Sequence, residues 1–132
     1  MREVTVFTNG CFDILHRGHF ELLKYCSTLG KVIVGLNSDL SVKILKGYER
    51  PINPFEDRKF ALESCKYVSE VIGFDEETPL RLIEEIKPDI VVKGGDYKKN
   101  SVVGGNVAEV LIFNYIPEKS STLLLSQIRD LD

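Results

Sequence analysis

Two histidines three residues apart, His16 and His19, are the side chains whose type and spacing most directly suggest chemistry. They follow a β-branched run at residues 4–7 and precede an apolar-periodic run that begins at Phe20. A strand, a glycine-bearing turn and a helix start in this order predict an anion site, because the first N–H groups of a helix lack internal partners and its dipole favours negative charge. Both imidazoles would project from nearly the same face, which suits a polyphosphate whose charge grows during reaction.

The alternative for these histidines is an ordinary surface or metal-binding role. A zinc site needs more ligands at suitable spacing, and the sequence contains no further His and no Cys-x-x-Cys pair. We therefore predict an anion site there and no metal site built from protein side chains.

The composition predicts one soluble domain over residues 1–132. Hydrophobic residues make up 43% and charged residues 28%, as in ordinary globular proteins. The net charge of −3 argues against a nucleic-acid partner, and no apolar run is long enough for a membrane span. The first residues lead into a strand rather than a signal peptide, and three scattered cysteines argue against a disulfide framework. We expect a reduced, cytoplasmic protein.

Hydrophobic patterning predicts strands alternating with helices. The strands are expected at residues 4–7, 31–36, 70–74, 89–93 and 110–113, and the helices at 20–29, 39–45, 54–65, 80–87 and 122–131. We expect Gly30 to end the first helix, and Pro54 to open the third with Asn53 as its cap. Phe55, Phe60, Ala61 and Leu62 are its expected core contacts.

This alternation predicts an α/β fold, a single doubly wound Rossmann-like domain with a five-stranded parallel sheet. Ligands of such sheets bind outside the carboxyl ends of the strands. Polar, glycine-rich segments follow strands one, two and four, so we expect them to converge on one cleft.

The segment Gly10-Cys11-Phe12-Asp13, followed by His16-Arg17-Gly18-His19, resembles the signature of the cytidylyltransferase-like nucleotidyltransferase superfamily. Members join a nucleoside triphosphate to a phosphorylated small molecule and release pyrophosphate. The resemblance implies that His16 and His19 contact the triphosphate and steady its growing charge, as donors or as cations near neutral pH. Lys46 is the third predicted catalytic residue, because members place phosphate-binding lysines after strand two.

The remaining predicted site residues fall into two groups. The expected nucleotide-binding residues are Thr8, Asn9, Gly10, Cys11, Phe12, Gly18, Lys43, Lys93, Gly94, Asp96, Ser120, Ser121 and Thr122. The candidates for binding the substrate phosphate are Asp13, Asn37, Asp39, Arg50 and Arg58. Simpler readings stay open: a solvated helix face for the lysines, a helix cap for the Ser/Thr cluster, an ion pair for each arginine, turn organisation for Asp13 and core packing for Phe12.

Longer stretches resemble the adenylyltransferases of ADP-heptose synthesis. They include residues 37–39, 41–43, 45–47, 50–54 and 92–97. The implied reaction joins ATP to a heptose 1-phosphate (D-glycero-manno-heptose 1-phosphate), giving ADP-heptose and pyrophosphate, with Mg²⁺ held mainly by the nucleotide phosphates. In many bacteria this enzyme is half of a two-domain protein whose other half is a sugar kinase. The superfamily also implies a homodimer.

Two other functions remain open at this point. A glycerol-3-phosphate cytidylyltransferase using CTP has the same fold, but its usual Arg-Thr-Glu-Gly lead is replaced here by Ile116-Pro117-Glu118-Lys119. The second is a module that binds a nucleotide without turnover. Such a module would not need the histidines and lysines, so their presence in this sequence argues against it.

Overall fold

The structure is a computed structural model that describes residues 2–95 and 102–114. The chain order of its elements is β1 (Thr5–Gly10), α1 (Arg17–Leu29), β2 (Lys31–Asn37), α2 (Asp39–Lys46), α3 (Phe55–Glu63), β3 (Glu70–Phe74), α4 (Leu80–Ile86), β4 (Ile90–Gly94) and β5 (Glu109–Phe113). The helix predicted at residues 122–131 lies outside the described residues.

The five strands form one sheet in the order β3-β2-β1-β4-β5, and every neighbouring pair is parallel. The predicted α/β Rossmann-like fold is therefore confirmed. The chain runs outward from β1 through β2 to β3, and then returns to the other side of β1 for β4. This reversal opens a crevice at the carboxyl ends of the central strands, where open α/β sheets bind ligands.

Alternation along the central strands divides the core between the two faces of the sheet. On β2, Val32, Val34 and Leu36 belong to one buried cluster, together with α1 and α3 residues such as Leu23 and Leu62. Ile33, between them in sequence, belongs to the opposite cluster, which includes Ile83 of α4. Successive strand side chains point to opposite faces, so a strand covered by helices on both sides must be apolar throughout.

Gly30 ends α1 as predicted, and its lack of a side chain is required by packing. A Cβ atom at this position would lie 2.4 Å from the carbonyl oxygen of Val4. The same oxygen accepts a hydrogen bond from Lys31 N at 2.8 Å. The glycine therefore lets the helix turn directly into β2 beside the start of β1.

Two details of the predicted third helix were wrong. Pro54 is the N-cap residue rather than the first helical residue, and Asn53 provides no side-chain cap. The Asp39 carboxylate instead accepts the Phe55 N–H at 2.9 Å, so the cap comes from a distant residue. Phe60 is 73% exposed and is not a core contact, whereas Leu62 is fully buried.

Within residues 2–95 and 102–114, no helix has the length and apolar character needed to cross a bilayer.

Replacing Leu23 with Ala should lower the free energy of unfolding by about 2–5 kcal/mol, because the side chain is fully buried and the cavity would fill only partly. The matched control is Leu40→Ala on α2, where the leucine is 61% exposed and we expect a change within about 0.5 kcal/mol. Urea unfolding measures both. Equal effects would contradict the assignment of Leu23 to the core.

Candidate active site

A cavity of about 520 Å³ opens at the carboxyl ends of the strands. Its walls come from the turn after β1, the start of α1, the segments after β2 and β3, and the end of β4. The predicted site residues that line it are Asn9, Gly10, Cys11, Phe12, Asp13, His16, His19, Asn37, Lys46, Arg50, Lys93 and Gly94. The predicted convergence of segments one, two and four on one cleft is therefore seen in the structure.

His16 and His19 cap α1 reciprocally. His16 is the N-cap residue, and its Nδ1 accepts the N–H of Gly18 at 3.0 Å. Three residues on, the Nδ1 of His19 accepts the N–H of His16 at 3.2 Å. The two ring centroids lie 4.0 Å apart. This is the capping-box arrangement, with imidazoles in place of the usual hydroxyl and carboxyl groups.

This cap changes how the helix start can bind an anion. The N–H groups of His19 and Phe20 also donate to the carbonyl of His16, so they are already bonded within the first turn. Gly18 is buried and its N–H is already bonded, and its binding of nucleotide stays a prediction. Each Nδ1 instead receives an N–H group, which leaves Nε2 as the position of the ring proton. The anion donors of this helix start are therefore the Nε2–H groups.

His19 is held in its neutral form. Burial lowers its pKa from 6.5 to about 4, and the neighbouring His16 acts in the same direction. Phe12 contributes to this environment, because its ring lies 5.3 Å from the His19 ring and is 4% exposed. Phe12 adopts φ 45°, a left-handed backbone that costs a bulky residue about 1–3 kcal/mol. At neutral pH, without a bound ligand, His19 is therefore a neutral hydrogen-bond donor.

Asp13 is the centre of a hydrogen-bond network that joins two loops. Its buried carboxylate accepts the Nε–H of Arg50 at 3.0 Å and the N–H groups of Ile52 and Asn53 at 2.7 and 2.8 Å. The Asn53 side chain returns a bond to the Asp13 carbonyl at 2.8 Å. Because these bonds all tie it to the 50–53 segment, Asp13 organises the site, in agreement with the simpler reading of this residue.

Arg58 forms a second buried network beneath the site. Its side chain is fully buried, and it donates to the carbonyls of Cys11 and Asn37 at 2.9 and 2.8 Å. It also donates to the Asn53 carbonyl at 2.9 Å and to the Asp39 carboxylate at 2.7 Å. Arg58 does not line the cavity, and its binding of substrate phosphate stays a prediction. Asp39 serves as its ion-pair partner and as the cap of α3.

Lys46 and Lys93 bring positive charge to the cavity wall. Burial lowers the pKa of Lys93 and Lys46 adds to this effect, while Cys11 opposes it. Burial also raises the pKa of the Cys11 thiol, against the influence of Lys46, Arg58 and Arg50. Cys11 is therefore a neutral wall residue in a cationic cleft.

Several other predictions have different outcomes. Lys43 is not on the cavity wall, because its Nζ donates to the Arg50 carbonyl at 3.3 Å. Thr8 is fully buried within β1, and its Oγ1 makes no hydrogen bond to the described part of the chain. For both residues, nucleotide binding stays a prediction. Asp96, Ser120, Ser121 and Thr122 lie outside the described residues.

Part of the cavity wall was not predicted from the sequence. These residues are Leu22, Leu45, Glu77, Thr78, Pro79, Val102 and Val103. Glu77 and Thr78 follow β3, whose carboxyl end lies at the same edge as those of β1 and β2. The local pattern at Thr78 and Pro79 indicates only a helix start. The rule that ligands bind at the carboxyl ends of the strands could have identified these residues as part of the site.

The fold and the site together define a Rossmann-like domain whose glycine-bearing turn and paired histidines face a cleft lined by Lys46, Lys93 and Arg50. The chain belongs to the cytidylyltransferase-like family, whose sequence pattern matches residues 7–121, and it is of the nucleotidyltransferase class.

Curated relatives match nearly the whole chain. The bifunctional protein HldE of a Nitratiruptor species is 53% identical over 126 residues, which is 94% of this chain. The bifunctional protein HldE of Campylobacter concisus is 50% identical over 131 residues, or 98% of this chain. The chain spans 27% and 28% of the length of these two relatives.

Solved structures agree on the fold. A lipopolysaccharide core biosynthesis protein from Thermoplasma volcanium is 25% identical, with a TM-score of 0.70 over 87% of this chain and 98% of that one. Pantothenate synthetase from Thermus thermophilus aligns with a TM-score of 0.60 over 87% of this chain and 56% of that one. At 18% identity, the second likeness concerns the fold alone.

The lowered pKa of His19 predicts a pH dependence of stability. Between about pH 4 and 6.5 the unfolded chain binds a proton at this histidine more readily than the folded chain does. The free energy of unfolding should therefore fall as the pH drops from 6.5 towards 4. His19→Gln keeps a capping acceptor at this position and removes the titration. Urea unfolding at several pH values should show that the free energy of unfolding depends less steeply on pH in the variant. An identical pH dependence in both proteins would contradict the lowered pKa of His19.

Replacing Arg58 with Met should lower the free energy of unfolding by about 3–5 kcal/mol, because three carbonyls and a carboxylate lose their buried partner. Arg81→Met is the control, since Arg81 is 75% exposed and its ion pairs with Glu76 and Glu85 should contribute less than about 1 kcal/mol. Thermal or urea unfolding gives both values. A loss no larger than that of the control would refute the structural role of Arg58.

Proposed function

We propose that this chain transfers AMP from ATP to a heptose 1-phosphate, giving ADP-heptose and pyrophosphate. The observation that carries the proposal is the pair of imidazoles at the start of α1, with Nδ1 atoms tied to the backbone and protons on Nε2. Lys46, Lys93 and Arg50 line the same cavity. Neutral donors and fixed cations around one cleft suit a triphosphate that loses pyrophosphate.

In this reaction an oxygen of the acceptor phosphate attacks the α-phosphorus of ATP, and the bond to the β-phosphate oxygen breaks. Negative charge grows on the non-bridging oxygens and on the departing pyrophosphate, so positioning and electrostatic stabilisation dominate. The Nε2–H groups of His16 and His19 donate to these oxygens, and the Lys46 ammonium offsets the charge. No proton needs to leave either imidazole.

Mg²⁺ is proposed as a partner of the nucleotide phosphates. Among residues 2–95 and 102–114, no group of three or more His, Cys, Asp or Glu side chains could hold a metal ion. Asp13, the buried carboxylate of the cavity, is already engaged by three N–H groups. A magnesium ion would therefore reach the site on the phosphates and supply charge neutralisation there.

The choice of ATP and heptose phosphate rests on similarity. The segments at residues 37–54 and 92–97 resemble the adenylyltransferases of ADP-heptose synthesis, and relatives named HldE are about half identical to this chain. The structural relative from Thermoplasma is named for lipopolysaccharide core biosynthesis, which supports a sugar acceptor. A cytoplasmic location, expected from the composition, and a homodimer, expected from the superfamily resemblance, remain proposals.

Pyrophosphate release tests the proposal directly. We would cross ATP and CTP with heptose 1-phosphate and glycerol 3-phosphate in the presence of Mg²⁺. Turnover with ATP and the heptose is expected. Turnover confined to CTP and glycerol 3-phosphate would replace the proposal with the cytidylyltransferase alternative, and silence in all four mixtures would refute both.

His19→Ala should lower kcat by about 10²-fold or more, because one donor to the growing charge is lost. Lys24→Ala is the control, since Lys24 is exposed on the same helix and does not line the cavity. Steady-state pyrophosphate release under saturating ATP measures both variants. Near-normal turnover of the His19 variant would remove this histidine from the mechanism.

A further inference from the structure

A buried carboxylate holds the Arg50 side chain in place at the cleft. Its Nε donates to Asp13 Oδ2 at 3.0 Å, and the two side chains are 11% and 0% exposed. An arginine bound through Nε keeps the opposite edge of its planar guanidinium available. That edge carries two Nη groups at a spacing that fits a phosphate.

The backbone around Arg50 is anchored on both sides. Arg50 N donates to the Gly47 carbonyl at 3.1 Å, and Lys43 Nζ donates to the Arg50 carbonyl at 3.3 Å. Immediately after it, Ile52 and Asn53 donate their N–H groups to Asp13. The side chain therefore starts from a fixed backbone as well as ending in a fixed ion pair.

The Nη groups of Arg50 make no hydrogen bond to residues 2–95 or 102–114, and neither is a fully buried atom without a partner. The side chain lines the cavity together with Lys46 and His16. An arginine edge that is desolvated, oriented and open to a cleft is suited to binding an oxyanion in two-point contact.

The position of Arg50 in the fold indicates which phosphate it meets. Arg50 follows β2, on the opposite side of β1 from Lys93 and Gly94 of β4. In the proposed reaction the nucleotide phosphates lie at the start of α1 and its base or ribose lies near Gly94 of β4. The β2–β3 half of the cavity is then left for the acceptor. That half is lined by Asn37, Glu77 and Thr78 besides Arg50.

We infer that Arg50 binds the phosphate of the acceptor with its two Nη groups, and that Asp13 is the positioning residue that orients it. This inference rests on the proposed function and adds to it a subsite for a phosphate monoester. The Asp13 carboxylate is fully buried, and its three hydrogen bonds all go to the 50–53 segment, so it acts by orienting Arg50. The Glu77 carboxylate also lines this half of the cavity.

The decisive variant is Arg50→Lys, which keeps the charge and loses the two-point edge. We expect the KM for heptose 1-phosphate to rise about tenfold or more, while the KM for ATP changes less than about twofold. Arg2→Lys is the matched control, because Arg2 also pairs with an aspartate, Asp89, at the opposite end of β1. Asp13→Asn should raise the same acceptor KM, and the double variant should be no worse than Arg50→Lys alone.

Urea unfolding first establishes that each variant folds. If Asp13→Asn does not fold, the acceptor KM of Arg50→Lys alone tests the inference. An unchanged acceptor KM, or a rise confined to ATP, would overturn the inference while leaving the proposed function standing.

A wild-type protein without turnover would instead refute the proposed function. Calorimetric titration of heptose 1-phosphate and glycerol 3-phosphate into the α,β-methylene-ATP complex then tests the subsite by itself. Binding that weakens in Arg50→Lys supports the subsite, whereas equal binding to both proteins, or none to the wild type, overturns it.

Discussion

The reciprocal capping of α1 by His16 and His19 is the interaction on which the site depends. Each Nδ1 accepts a backbone N–H, so neither ring can turn without leaving a donor unsatisfied at the helix start. The same two bonds place the ring protons on Nε2, while burial and the neighbouring His16 lower the pKa of His19. The imidazoles extend the positive end of the helix dipole into the cleft, where a chain of hydrogen bonds strengthens each donor.

Two buried charges hold the surrounding loops against this helix. Asp13 joins the turn after β1 to residues 50–53, and Arg58 joins the same turn to the end of β2 and to Asp39. A buried charge is costly unless it is fully bonded, and each of these makes at least three hydrogen bonds. These hydrogen bonds offset the cost of burying the charges. They also hold the loops rigid at the place where ligand groups must be positioned.

The sequence predicted what local patterns determine. Continuous β-branched strands, glycine breaks and the histidine spacing were sufficient for the parallel sheet, the position of the cleft and most of its wall. The errors concern contacts between residues far apart in sequence. The cap of α3 comes from Asp39, 16 residues before Phe55, and Asp13 binds Arg50 37 residues away. The hydrophobic periodicity of the sequence contains no information about such contacts.

Side-chain direction was the second limit of the sequence. Lys43 and Lys46 lie on one short helix, but only Lys46 reaches the cavity, because Lys43 supports the carbonyl of Arg50. Arg50 and Arg58 flank the same proline-rich loop, yet one lines the cleft and the other is sealed beneath it. Residue type suited all four side chains to phosphate, and the direction of each side chain separates those that line the cavity from those that do not.

The proposed mechanism requires both histidines to act as neutral donors through Nε2. Long-range ¹H–¹⁵N NMR of the histidine rings distinguishes protonated from unprotonated nitrogens. At pH 7 we expect an unprotonated Nδ1 and a protonated Nε2 in both rings, and addition of α,β-methylene-ATP with Mg²⁺ should shift the Nε2 signals. Rings protonated at both nitrogens, or Nε2 signals that do not shift when the nucleotide is added, would contradict this role of the two histidines.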